Sequence, residues 1–106
     1  MTPKSPMTVD RLNLPPVHPG TFLKEELDEM SLSVNQFARA LGVPANRLTE
    51  IIAGRRAITA DTALRIGRYF SGPAKYWMRL QARYDLLTAE AEKGEEIART
   101  VRPRAA

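Results

Sequence analysis

The 106-residue chain carries 43% hydrophobic and 26% charged residues with a formal net charge of +4, the make-up of one small globular domain. It has no cysteine and a single histidine, His18, which excludes disulfides, thiolate nucleophiles and metal clusters or catalytic triads built on histidine. No apolar run approaches the roughly 18 residues of a membrane span, and the opening MTPKSPMTVDRLNLPP lacks the apolar stretch of a signal peptide, so a cytoplasmic protein is expected.

Residues 1–17 contain Pro3, Pro6, Pro15 and Pro16 and few core-forming side chains, and they read as a flexible arm. A first helix is expected over Thr21 to Met30, with Phe22, Leu23, Leu27 and Met30 at helical spacing. Its charge is acidic, Lys24 standing against Glu25, Glu26, Asp28 and Glu29. Ser33 followed by Gln36 fits a capping box, so a second helix should run from Val34 to Leu41 with Phe37, Ala38 and Leu41 inward. Gly42 stops it, and Pro44 suits the first position of a third helix reaching about Ala53 and closed by Gly54.

A fourth helix begins after Thr59, with Ala63, Leu64, Ile66, Gly67 and Phe70 as its packing side. Leu32, Val43 and Ile58 read as apolar plugs between helices. A longer fifth helix spans residues 73–90, and residues 91–106 read as a flexible tail with Ile97 and Val101 as the only large apolar residues. Nothing alternates with period two, so the fold class is all-α. The core domain is placed at residues 18–90.

Two short helices joined by a glycine-containing turn of three or four residues form a helix-turn-helix unit, here residues 33–53. At 100° per residue, Leu48, Ile51 and Ile52 cluster on the inner side of the third helix. Asn46 and Glu50 lie opposite, flanked by Thr49 and Ala53 on one edge and Arg47 on the other. Such a helix offers polar side chains from its N-terminal half to base edges in the major groove. Asparagine can pair with adenine, glutamate can accept from cytosine, and arginine prefers guanine or a phosphate. Ser33, Asn35 and the free N–H groups opening the second helix, Val34 among them, can hold one phosphate. Arg55 and Arg56 in the following loop would grip another. On an isolated helix the same side chains would be a solvated face; their place in the motif is what points to DNA.

Two stretches, VHPGTFLKEELDEMSLSVNQFARALGV and IIAGRRAITADTALRIGRYFSGPAKYWMRLQARYDL, closely resemble the HigA antitoxins within the Cro/CI-like (XRE) helix-turn-helix family. The most specific matches are Gly54-Arg55-Arg56-Ala57-Ile58-Thr59 and the run from Tyr76-Trp77 to Tyr84-Asp85-Leu86. The resemblance implies a five-helix domain, a dimer on a palindromic operator, repression of its own toxin–antitoxin operon, and a HigB-type toxin of the RelE-like fold as partner. Many relatives carry glutamine where this chain has Val34 and Ala45. Ala45 could read at most a thymine methyl, so base reading shifts to Asn46, Arg47, Thr49 and Glu50. Glu50 could repel wrong bases or pair with Arg47 in the free protein.

In the fifth helix Trp77, Leu80, Tyr84 and Leu87 form an apolar stripe, and Lys75, Arg79 and Arg83 a basic row read as solvated. A homodimer is expected, with that stripe split between core and interface. It would set two recognition helices about one DNA turn, roughly 34 Å, apart. His18 reads as a helix-entry residue. No paired catalytic groups, phosphate loop or metal spacing stand out, and no cofactor is called for. A stand-alone regulator without a toxin, and a purely protein-binding helical module, remain as alternative readings.

Overall fold

The computed structural model describes residues 15–105. The expected N-terminal arm lies, but for Pro15 to Val17, outside the described residues, as does Ala106 of the expected tail. The described chain is all-helical: α1 (Pro19–Glu29), α2 (Val34–Leu41), α3 (Ala45–Ile52), α4 (Ala60–Phe70) and α5 (Ala74–Thr100).

Local chemistry sets most boundaries. The His18 imidazole caps α1, its Nδ1 accepting from the Gly20 N–H at 2.9 Å, so the helix opens two residues before the expected Thr21. The capping box of α2 is complete: Ser33 Oγ accepts from the Gln36 N–H at 3.1 Å, and Gln36 Oε1 accepts from the Ser33 N–H at 2.9 Å. Gly42 takes the left-handed conformation expected of it, φ 72°, and turns the chain toward α3. Pro44 stands one position earlier than expected, as the N-cap of α3. Thr59 caps α4.

The core is formed by Leu23 and Leu27 of α1, Phe37, Ala38 and Leu41 of α2, Leu48 and Ile51 of α3, Ile58 of the following loop, Ala63 and Ile66 of α4, and Trp77 of α5. Leu48 and Ile51 are wholly buried, which stabilises the seat of α3 by about 1.5–3 kcal/mol each. The α1–α3 crossing is close. A Cβ on Gly20 would lie 1.9 Å from the Ile51 carbonyl oxygen, so only glycine fits there.

Three further expectations change. Leu64 is 63% exposed, and Thr62 takes its place against the core. Positions 63, 66, 67 and 70 centre the buried face, and on a helix Thr62 lies nearer that centre than Leu64 does. Met30 is exposed at the end of α1. Helix α5 continues ten residues past the expected Glu90, so the segment read as a tail is helical to Thr100. That stretch, AEKGEEIART, is half alanine and glutamate, which hold a helix with little help from packing.

Candidate nucleic-acid interface

Helices α2 and α3 meet at the Gly42 turn, and the turn is stapled from outside by Arg65 of α4. Its Nη1 donates to the Leu41 carbonyl at 2.8 Å, closing the end of α2. Arg65 Nε also donates to Asp61 Oδ2 at 2.9 Å. The same carboxylate oxygen accepts from Arg47 Nη1, again at 2.9 Å, and Arg47 further reaches Thr62 Oγ1 at 3.5 Å. Asp61 therefore joins the third helix to the fourth and to the end of the second. Hydrogen bonds from Arg65 first, then Arg47, hold its carboxyl below the usual carboxylate range.

This geometry sorts the candidate base readers. Asn46 is exposed, and Thr49 is exposed with its hydroxyl donating to the Ala45 carbonyl at 3.1 Å. Ala45 is half-buried and packs on the core, so its methyl is turned partly away from the open face. Arg47 is folded back onto α4, its side chain only 28% exposed. Glu50 does not pair with Arg47; its carboxylate accepts from Arg56 Nε at 2.9 Å and lies 2.8 Å from Arg56 Nη2. The reason is directional: Arg47 leans toward α4, whereas Glu50, one turn later, stands over the loop that carries Arg56.

Among the phosphate candidates, the α2 N-terminus keeps the Val34 and Asn35 N–H groups unpaired among the described residues. The Ser33 side-chain oxygen is occupied by the capping box, leaving its hydroxyl proton free to donate. Val34 itself packs against the core. The Arg55 side chain is exposed and forms no ion pair among the described residues, while Arg56 is bound to Glu50.

The loop bearing these arginines is anchored by two residues that the pattern of the sequence did not single out for that role. Gln81 of α5, 4% exposed, accepts from the Ile58 N–H at 2.7 Å through Oε1 and donates to Asp85 at 2.9 Å through Nε2. A glutamine one turn from Trp77 on an apolar stripe was the available signal. His18 packs edge-on against Tyr84, ring centroids 4.9 Å apart, and the Arg56 carbonyl accepts from its ring. Burial lowers the His18 pKa, and Asp85 and the Arg56 carbonyl oppose that shift.

The α5 stripe divides. Trp77 belongs to the core at 4% exposure, Tyr84 faces His18, and Leu80 and Leu87 are half-buried. No group of acidic or histidine side chains among the described residues could hold a metal, and no described helix is long and apolar enough to cross a membrane.

A five-helix domain with a tight two-helix corner, an exposed polar face on the second helix of that corner and a basic loop beside it defines the helix-turn-helix class of DNA-binding domain. The helix-turn-helix family profile matches residues 23–77. An addiction-module antidote protein of the HigA family from Coxiella burnetii superposes with a TM-score of 0.83 at 42% identity, over 86% of this chain and 100% of that one. Antitoxin HigA of Pseudomonas aeruginosa, solved with the higBA promoter, does so with a TM-score of 0.82 at 43% identity, over 85% and 99%. Virulence-associated protein I of Dichelobacter nodosus is 49% identical over 81 residues, 76% of this chain and 75% of that protein. The chain belongs to the helix-turn-helix family, in its HigA-type antitoxin branch, a family of non-enzymatic DNA-binding proteins.

Proposed function

We propose that the protein is the antitoxin and autorepressor of a toxin–antitoxin operon, reading a palindromic operator in the major groove as a homodimer and neutralising a HigB/RelE-like ribonuclease toxin. The observation that carries the DNA-binding reading is the placement of the open face of α3: Asn46 and Thr49 are exposed on it, between the free N–H groups of α2 and the exposed Arg55. Asn46, Thr49 and Glu50 would face base edges with Ala45 at their margin, while Ser33, Val34, Asn35 and Arg55 would clasp phosphates on either side and Arg56 stays with Glu50. The P. aeruginosa relative solved with the higBA promoter supports the DNA-binding reading.

A homodimer would pair through α5. Tyr76, Leu80 and Leu87 follow at spacings of four and seven, so they share one face of the helix beside the buried Trp77 and Tyr84 side. Tyr76 is 48% exposed, and Leu80 and Leu87 are half-covered, an apolar strip that a second copy would bury.

A mobility-shift titration on the DNA upstream of the gene, against an unrelated duplex at two salt concentrations, tests the reading. Selective binding that weakens steeply with salt is expected. Asn46→Ala should relax base preference, and Arg55→Ala should weaken binding to every sequence. Equal, weak binding to both duplexes would leave a helical protein-binding module. Co-purification with the product of a neighbouring toxin gene separates the antitoxin from a stand-alone regulator.

A further inference from the structure

The surface between α3 and α4 is a concavity of about 360 Å³ beside the Arg55–Arg56 loop, lined by Arg47, Arg56, Thr59, Asp61, Thr62 and Arg65. Three arginines on a DNA-facing surface would ordinarily be three phosphate ligands. Here each is matched by a carboxylate of the same chain: Arg56 by Glu50, and Arg47 and Arg65 by Asp61. The three differ in what else they do. Arg65 is also held by the Leu41 carbonyl and closes α2, so it is a structural cation. Arg47 sits on the recognition helix itself, and among the described residues, apart from a long contact to Thr62, it is Asp61 that keeps its guanidinium turned away from the open face.

We propose that Asp61 is a built-in counterion that withholds Arg47 from nucleic acid and thereby limits binding to DNA of the wrong sequence. Its carboxylate occupies the position toward Arg47 that a phosphate oxygen would take. Asp61 is the second residue of α4, where the helix dipole favours negative charge, so the carboxylate is well placed to compete. Non-specific complexes are held by charge alone, and each arginine that engages a phosphate releases condensed counterions and steepens the salt dependence. An arginine paired internally contributes neither. A loosely docked protein can choose whatever register brings a freed arginine to a phosphate, whereas the operator complex is fixed in register by its base contacts. Freeing Arg47 therefore favours unrelated DNA more than the operator. Asp61 is thus a positioning residue for specificity, a role that rests on the DNA-binding function proposed above.

The test is a comparison of the full chain with its Asp61→Asn, Asp61→Glu and Asp61→Asn/Arg47→Gln variants. Binding to the upstream DNA and to an unrelated duplex of equal length would be measured by fluorescence anisotropy between 50 and 200 mM salt, on the order of the range over which such contacts are resolved. Asp61→Asn is expected to bind the unrelated duplex several-fold more tightly, with log K against log salt steeper by about 0.9 for the one freed arginine. Asp61→Glu should stay near the parent, and the added Arg47→Gln should remove the gain. If Asp61→Asn does not fold, Asp61→Ser, which is accepted in a first helical turn, takes its place. An unchanged slope and affinity in the folded variant, or weaker binding to both duplexes, would overturn the proposal and leave Asp61 as a brace. Where the parent still prefers its upstream DNA, that result leaves the DNA-binding reading standing. A parent without such preference removes both.

Discussion

Replacing Gln81 with leucine keeps nearly the same side-chain volume at a site 4% exposed and deletes both of its hydrogen bonds. The Ile58 N–H then stays buried with no acceptor, at a cost of about 1–3 kcal/mol. Asp85 loses a neutral donor but remains exposed to water, so its share is small. Leucine recovers some apolar burial, and the net loss should be about 1–2 kcal/mol. For a domain of this size that lowers Tm by roughly 5–15 °C. Urea denaturation should show an earlier midpoint at an unchanged m-value. Hydrogen exchange should show the Ile58 amide losing protection beyond the global change, because its opening no longer needs a bond to be broken. A midpoint equal to or above that of the parent, with Ile58 still protected, would refute the assignment of Gln81 as the anchor of the loop between α3 and α4.

Gly20→Ala forces a methyl onto the Ile51 carbonyl, where the available distance is 1.9 Å. The atoms it meets, Ile51 O and C and Ile52 Cα, are all backbone and cannot rotate aside, so α1 and α3 must separate, and a loss of about 3 kcal/mol or more is expected in calorimetry. For His18 the folded pKa lies below the ordinary value, so the folded state binds protons less readily than the unfolded chain. Its contribution is complete above about pH 6.5 and is lost as pH falls from there through the folded pKa. Protonating Nδ1 also ends its acceptance from Gly20 and with it the α1 cap. Melting curves at pH 7.5 and 5.5 should therefore differ more for the parent than for His18→Asn, which can cap but does not titrate. An equal pH response in both would refute it.

Much of this protein is written locally. The capping box at Ser33 and Gln36, the left-handed stop at Gly42 and the cap at Thr59 depend on residues within a few positions of each other, so they are legible from the order of residues alone. The same holds for the inward faces of α2 and α3, where Phe37, Leu41, Leu48 and Ile51 follow the helical period into the core. The α5 boundary was less legible: apolar periodicity fades after Leu87, while the helix persists on the intrinsic preference of its alanines and glutamates.

The charged surface was decided elsewhere. Arg47 and Glu50 are neighbours on one helix, and spacing alone invites their pairing, yet each finds a partner supplied by the folding of later chain. Arg47 meets Asp61, fourteen residues on, and Glu50 meets Arg56. Ile58 and Gln81 are twenty-three residues apart and share a buried polar bond. Caps and periodicities are short-range consequences of backbone geometry, which neighbouring side chains suffice to satisfy. A long side chain's partner depends on which helix packs over it, and that is known only once α4 and α5 are in place.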